Sequence, residues 1–370
     1  MSFEVVYTSV RRGLRTGAKG FCTVAATDGI PRALHEKLES LSGYKHSEAA
    51  AGGAPPVNHS HLIVRVQRKI YHVVSRIADA GNDYSGRTNK IAHHLALTTA
   101  ETEQFRYGPV SLFLDDGFWC DSWDGDPEEL PPRNLPSGQA SSTTDFDTWE
   151  SVFGDAGWAG ILGEAAVNGM KPVSIIVPKA DDNIELLNEA LQLVPPELRW
   201  KLCFSTYFSR LAPGTQCHWR FVLDGTGEAR RLRARSLGAL VDPVGSAGEL
   251  SDSNPFVQAA RECQPELAHA AKTSDNRRSS TGDARGVARR SNRNRRRQAE
   301  PRPRTVTAAN PFDYNEEDFA EDGPDEQVES SSGGRRRSGN QDRRTGLWIV
   351  LGLFGAVIAV LIFFAVQKFS

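Results

Sequence analysis

Residues 61–77 of the chain read HLIVRV-QR-KIYHVVSRI, and this stretch decides the kind of fold. Two runs rich in β-branched and aromatic residues flank the pair Gln67 and Arg68. Such runs are typical of β-strands, and two residues are enough for a hairpin turn. The stretch therefore predicts either two adjacent strands with a tight connection or one long bent strand.

Strands and helices alternate on both sides of this stretch. Short apolar runs predict strands at residues 3–8, 110–114, 173–177 and 218–223. Apolar residues at helical spacing predict helices at residues 30–41, 88–97 and 183–193, with a partly helical segment at 149–168. Residues 1–240 are thus expected to form a globular head of the α/β or α+β class with a mixed sheet.

The character of the chain changes after residue 240. Residues 241–344 are dominated by Ser, Gly, Asn, Arg and Asp, and such a composition buries too little apolar surface to offset the entropy of ordering. The first part is basic, with many arginines between Arg277 and Arg304, and the second is acidic, from Asp313 to Glu329. We expect a disordered linker, and whether its two halves pair with each other stays open.

The segment Gly346–Val366 reads GLWIVLGLFGAVIAVLIFFAV and contains no charged residue. As a helix it would be about 32 Å long, enough to cross the hydrocarbon core of a bilayer. Arginines precede it at positions 335–337, 343 and 344, whereas Lys368 alone follows it. The positive-inside rule then predicts a tail-anchored, single-pass membrane protein whose head lies in the cytoplasm.

Cysteine usage and acidic residues give no sign of a metal or a cofactor. The five cysteines are scattered without a CxxC pair, so neither a disulfide framework nor a zinc site is predicted. The acidic run Asp115, Asp116, Asp121, Asp124 and Asp126 lacks the spacing of a calcium loop. We expect a solvated loop there, pinned by Trp119 and Trp123, and no cofactor.

A glycine-spaced loop follows the first predicted strand. It contains Gly13, Gly17, Lys19 and Gly20, but the spacing departs from that of a nucleotide-binding P-loop, and Gly20 stands where Ser or Thr should hold magnesium. Two interpretations remain: an ordinary solvated turn, or a loop whose cations meet an anion or an acidic protein face. The cations in question are Arg11, Arg12, Arg15 and Lys19.

A second group of polar residues comprises Gly86, Arg87, Thr88 and Asn89, followed by His93 and His94. On the predicted helix 88–97, adjacent side chains would diverge by about 100°, so the two histidines would not share one metal ion. One histidine is expected to pack inward and fix the helix to the sheet, and a catalytic role for either is the alternative.

Several short motifs of the head resemble the GTPase-associated protein family, in particular its type-two N-terminal domain. They are Tyr7-Thr8-Ser9, Gly13-Leu14, Gly20-Phe21-Cys22-Thr23-Val24-Ala25, Leu41-Ser42-Gly43-Tyr44, Gly86-Arg87-Thr88-Asn89 and Ala92-His93-His94-Leu95. The resemblance implies an adaptor that works with a GTPase and has no established catalytic residues. It is expected to cover the head, residues 1–240.

These observations favour a non-enzymatic, membrane-tethered adaptor whose head binds a protein partner of a GTPase-centred system. A hydrolase or nucleotide-processing enzyme that uses His93 or His94 with Arg87 is the alternative. Nucleic-acid binding through the arginine-rich tract is disfavoured, because that tract has no interleaved aromatic residues for base stacking. The oligomeric state is left open. The candidate binding residues are Tyr7, Ser9, Arg11, Arg12, Gly13, Arg15, Gly17, Lys19, Gly20, Arg87, Asn89, His93 and His94.

Overall fold

A computed structural model of the chain describes residues 1–46, 54–114, 117–132, 134–138, 145–235, 239–243 and 250–270. The hairpin predicted at residues 61–77 forms two strands, β3 (Asn58–Val66) and β4 (Lys69–Asn82), with Val66 paired to Lys69. The two turn residues both have positive φ, 47° at Gln67 and 69° at Arg68. Positive φ at both positions is the signature of a type I′ turn. The prediction of two adjacent strands with a tight connection is therefore confirmed, and that of one long bent strand is wrong.

The amino-terminal half of the head is a mainly antiparallel sheet around this hairpin, and its edge strand at residues 128–130 pairs parallel with residues 25–27. β1 (Phe3–Val10) lies between β2 (Gly20–Thr27) and β5 (Thr88–Thr98), and β5 in turn pairs with β4. The helix predicted at residues 88–97 is therefore wrong. Ile91 and Leu95 have helical spacing, but Ile91–Leu97 is buried without a break, as befits a central strand covered on both faces.

The carboxy-terminal half extends the same sheet with parallel strands. β7 (Val173–Val177), β8 (Phe204–Ser205), β9 (Trp219–Leu223) and β10 (Ala239–Val241) run parallel to one another, and β8 pairs antiparallel with β3. The described sheet has ten strands in the order β10-β7-β9-β8-β3-β4-β5-β1-β2-β6, with β6 (Glu128–Leu130) at one edge. The expected mixed sheet is confirmed.

Helices cover both faces of the sheet. α1 (Arg32–Ser40) confirms the helix predicted at residues 30–41, and α5 (Asn183–Gln192) confirms that at 183–193. Residues 110–114 are not a strand, because Pro109–Leu112 form a 3₁₀ turn. Other helices of the described residues are α2 (Thr99–Thr102), α3 (Asp147–Phe153), α4 (Gly157–Val167), α6 (Pro196–Arg199), α7 (Gly227–Arg235) and α8 (Pro255–Arg261), and residues 265–270 are helical as well.

The core follows this layering. On one face the largest cluster packs Leu95, Phe204 and Phe221 of the sheet against α3, α4, α5 and α8. On the other face α1 buries Leu34 and Leu38 on the amino-terminal strands, and α7 buries Ala229 and Leu232 on the carboxy-terminal ones.

The head continues past residue 240, where the sequence predicted the linker. The Asn254 side chain caps α8, and Phe256 and Val257 are buried against α4, so part of the predicted linker 241–344 is folded. The composition of the segment did not predict this helix, because Phe256 and Val257 are two apolar residues within a mostly polar stretch. Residues 271–370, with the remaining linker and Gly346–Val366, lie outside the described residues. Within the described ranges no helix is long and apolar enough to cross a membrane.

Candidate functional site

One end of the sheet collects most of the residues that the sequence singled out. β1 and β4 end there and β2 and β5 begin there, so the β1–β2 loop (residues 11–19) and the β4–β5 turn (residues 83–87) lie side by side. The predicted residues Ser9, Arg87 and Asn89 therefore share one site with the glycine-spaced loop. We call this end of the sheet the polar edge.

Asp83 is the centre of the β4–β5 turn. One carboxylate oxygen, Oδ1, accepts hydrogen bonds from the Ser85 hydroxyl at 2.6 Å, the Ser85 amide at 2.8 Å and the Arg87 amide at 3.1 Å. The other oxygen accepts from the Ser9 hydroxyl at 2.8 Å and from Arg87 Nη2 at 3.1 Å. These donors, the Ser85 hydroxyl foremost, hold the pKa of Asp83 well below its usual range.

Asn89 ties β5 to β1 beside this turn. Its Oδ1 accepts from the Thr8 hydroxyl at 3.2 Å, the Ser9 amide at 3.1 Å and the Lys90 amide at 2.8 Å. Asn89 is buried, so these bonds replace contacts with water. Ser9, Asn89 and Asp83 thus form a rigid base under the polar edge.

The glycine-spaced loop is folded on itself. The Gly13 amide donates to the Ala18 carbonyl at 2.9 Å, and the Ala18 amide donates to the Arg15 carbonyl at 3.0 Å. A Cβ at Gly13 would lie 2.4 Å from Cys22 Sγ, and Gly17 and Gly20 have φ of 81° and 74°. The glycines therefore serve close packing and turning of the chain.

Two exposed aromatic rings stand above this base, each with a cation over its face. Arg11 Cζ lies 5.3 Å from the centre of the Tyr84 ring, and Lys90 Nζ lies 5.0 Å from that of Phe21. Phe21 and Tyr84 are each 43% exposed. The half-buried Tyr7 ring stacks beside Phe21 with centres 6.3 Å apart, and burial raises the pKa of its hydroxyl.

The other cations of the loop have different surroundings. Arg12 pairs with Asp126 at 3.2 Å on the exposed surface, so solvent screens that pair. Arg15 donates from Nη2 to His35 Nδ1 at 3.1 Å. Lys19 is exposed.

The two histidines lie on opposite faces of β5 because successive residues of a strand alternate. His93 accepts the Cys120 amide at Nδ1, which places its proton on Nε2, 3.4 Å from Glu4 Oε2. His94 lies on the α1 face, between the hydroxyls of Ser75 at 2.7 Å and Ser42 at 2.8 Å. Burial lowers the pKa of His94 to about 3, so it is neutral at pH 7.

The catalytic alternative had grouped His93 or His94 with Arg87, and the structure does not bring them together. Arg87 lies in the turn before β5, about 20 Å along the strand from His93. No three histidine, cysteine or acidic side chains in the described part of the chain are grouped so that they could hold a metal ion.

Sequence reasoning missed Phe21, Asp83, Tyr84 and Lys90 as members of this site. Phe21 and Lys90 were within quoted motifs or next to them, but nothing in their spacing indicates that they meet. Asp83-Tyr84-Ser85-Gly86 has the composition of a turn in which Asp accepts from the next amides, and that signal could have located Asp83.

The fold and the polar edge define a class: a mixed α/β protein in which a mainly antiparallel half and a parallel half share one sheet. The family model described as GTPase-associated protein 1, N-terminal domain type 2, matches residues 1–136, and that described as GTPase-associated protein 1, middle domain, matches residues 146–245. The chain belongs to the GTPase-associated protein 1 family.

The two matches correspond to the two halves of the sheet. The N-terminal domain contains β1 to β6, and the middle domain contains β7 to β10. The resemblance found in the sequence is thus confirmed, although the type-two N-terminal domain ends at residue 136 instead of covering the whole head. No curated protein and no solved structure matches the chain.

Proposed function

We propose that the head is a non-enzymatic binding module that recognises an acidic face of a GTPase or of a GTPase regulator. The surface concerned consists of Arg11, Phe21, Tyr84, Arg87 and Lys90 and is called here the cation–aromatic surface. The observation that carries the proposal is the pair of exposed rings at the polar edge, Phe21 at the start of β2 and Tyr84 in the β4–β5 turn, each with a cation over its face.

The composition of this surface is that of a binding hot spot. Aromatic residues and arginine are enriched at the energetic centres of protein interfaces. A lone exposed aromatic side chain is common on protein surfaces, whereas two of them at one end of the sheet, each with a cation over its ring, are a less ordinary feature.

The charge of this surface favours an acidic partner. Arg87 is neutralised by Asp83, but neither Arg11 nor Lys90 has a carboxylate partner among the residues that the structure describes. Their charges are therefore available to a partner, and steering by such charges raises association rates.

The base under the surface is rigid before any partner arrives. The Asp83 and Asn89 networks fix the β4–β5 turn and the start of β5 to the end of β1 through buried or half-buried hydrogen bonds. A preorganised surface loses little conformational entropy on binding, which favours affinity.

Membership of this family favours a partner that is related to GTPases. The names of both matching domains describe proteins associated with GTPases. A GTPase-related protein is therefore the partner that we test for.

Attachment to a membrane is a further part of the proposal. The uncharged segment Gly346–Val366 is long enough to span a bilayer, and the arginines before it favour a cytoplasmic head. The polar residues between the head and this segment would let the head reach partners near the membrane.

Site-specific crosslinking tests the proposal. A photoreactive phenylalanine analogue replaces Tyr84 in the full-length chain, expressed in the cells from which the chain comes, and replaces Tyr107 in the control. Tyr107 is 39% exposed and also has an arginine, Arg106, over its ring, 5.9 Å away. We expect position 84, and not position 107, to capture a protein that binds GTP or that regulates such a protein.

Two results would contradict this function. One is the same set of captured proteins from both positions. The other is capture at position 84 only of proteins that neither bind GTP nor change GTP hydrolysis by a GTPase.

A further inference from the structure

A small open pocket lies beside the first turn of α1. Its lining consists of Arg15 from the β1–β2 loop and Ile30, Arg32 and His35 from the start of α1 and the residues before it. Two guanidinium groups and one imidazole therefore face a common space, with a single apolar side chain. The cation–aromatic surface does not include any of these residues.

A neutral histidine positions Arg15 at this pocket. Because Arg15 Nη2 donates to His35 Nδ1, the ring proton is on Nε2, which lies 2.8 Å from the Thr23 hydroxyl. That hydroxyl donates to Glu39 Oε1 at 2.6 Å. Burial lowers the pKa of His35, which keeps the ring neutral. Arg15 is thus held in place by a neutral ring and keeps its charge, which also attracts the nearby Glu36 carboxylate.

The Arg32 guanidinium also has N–H donors that are not used within the described part of the chain. Arg32 bonds Glu36 through Nε at 2.7 Å, and none of the described residues bonds its Nη nitrogens. The first turn of α1 contains no acidic residue, and Pro31 before it supplies no side-chain cap. The positive end of the helix dipole therefore adds to the field of the two arginines.

We infer that this pocket binds a phosphate-type oxyanion, either inorganic phosphate or the phosphate of a nucleotide. Guanidinium groups present paired donors that match phosphate oxygens, and Arg15 and Arg32 approach the pocket from two different segments of the chain. Their different origins let two arginines engage one anion together. This site does not depend on the protein-binding function proposed above.

Isothermal titration of the full-length chain tests the inference. Inorganic phosphate and guanosine monophosphate are titrated separately at constant ionic strength, into the wild-type chain and into Arg15→Gln, Arg32→Gln and Arg12→Gln. Arg12 is the matched control because it belongs to the same loop but pairs with Asp126 outside the pocket. All three arginines are exposed, and a thermal melt checks that each variant folds.

We expect saturable binding of one anion per chain, weakened at least about tenfold by Arg15→Gln and by Arg32→Gln and unchanged by Arg12→Gln. Tighter binding of guanosine monophosphate than of phosphate would identify a nucleotide as the source of the anion, and equal affinity would identify free phosphate; both support the site. No saturable binding to the wild-type chain, or equal weakening by all three substitutions, would overturn it.

Discussion

His94 shows how a single side chain makes the stability of the head depend on pH. It is fully buried between Ser42 and Ser75, and its pKa of about 3 lies far below the ordinary value of 6.5. The unfolded chain therefore binds a proton at this residue between about pH 3 and 6.5 that the folded chain does not bind. Stability is fully present above pH 6.5 and is lost as the pH falls through this range.

We expect His94→Gln to lower the number of protons that the chain takes up on unfolding at pH 5 by about one. Near pH 5 one such histidine contributes about 1.4 kcal/mol per pH unit to the slope of the unfolding free energy. Urea unfolding at pH values from 4.5 to 7.5 measures that slope. The slope does not vanish in the variant, because His61 and His218 also take up protons on unfolding. Burial lowers the pKa of His61 to about 3 and that of His218 to about 4. An unchanged slope would show that His94 is already protonated in the folded protein at pH 5.

The backbone conformation of Arg68 leads to a second prediction, on the stability of the hairpin turn. Arg68 has a φ of 69°, a conformation that costs a non-glycine residue about 1–2 kcal/mol. We expect Arg68→Gly to raise the unfolding free energy by about 0.5–1 kcal/mol, since glycine adopts this φ without strain but loses more entropy on folding.

The control for Arg68 lies in the same hairpin. Arg65→Gly replaces an exposed arginine that lies within β3, one residue before its end and paired with Ile70 of β4, and should lower the unfolding free energy by about 1 kcal/mol. Chemical denaturation of both variants gives the comparison, and destabilisation of equal size in both would contradict the turn geometry.

At the scale of elements, α8 packs closely against α4. A Cβ at Gly160 would lie 2.6 Å from backbone atoms of Phe256 and Val257, and backbone cannot move aside as a flexible side chain can. We expect Gly160→Ala to lower the unfolding free energy by about 2 kcal/mol, although alanine is the better helix former. Thermal or chemical unfolding of the full chain measures this change.

Gly227→Ala is the matched control for Gly160. Gly227 begins α7, and no atom lies within 4 Å of the place where its Cβ would be. The same substitution there should leave the free energy unchanged or raise it by less than about 1 kcal/mol. If Gly160→Ala were as well tolerated, α8 would not be packed as the structure has it.

The elements also show what sequence patterns reveal and where they fail. The β3–β4 hairpin and α1 were predictable because each has one clear period and a clear boundary. β5 was not, because a strand buried on both faces has apolar residues at every spacing, including the helical one. The meeting of Arg11 with Tyr84 depends on the order of strands in the sheet, which local sequence does not encode.

At the scale of the whole molecule, one sheet joins the two family domains. β3 of the N-terminal domain pairs with β8 of the middle domain through His61 and Phe204, and Ser60 and Ser205. The His61 ring reinforces this junction, since its Nδ1 lies 2.6 Å from the Leu202 carbonyl. The sheet of the head thus continues from the N-terminal domain into the middle domain of the same family.

The proposed membrane attachment makes a separate prediction for the whole chain. The full-length protein should stay with membranes after alkaline carbonate extraction, because the uncharged segment Gly346–Val366 would lie in the hydrocarbon core. A chain that lacks residues 346–366 should move to the supernatant. Release of the full-length protein by carbonate would contradict attachment through this segment.

The affinity of the full-length chain for the GTPase-related protein captured at position 84 tests the central claim most directly. Since buried aromatic hot spots contribute about 2 kcal/mol or more each, Phe21→Ala with Tyr84→Ala should weaken binding at least about 100-fold. Arg106→Ala with Tyr107→Ala, which removes a similar pair elsewhere on the surface, should change it less than about threefold. Equal affinities of the two double variants would contradict the account.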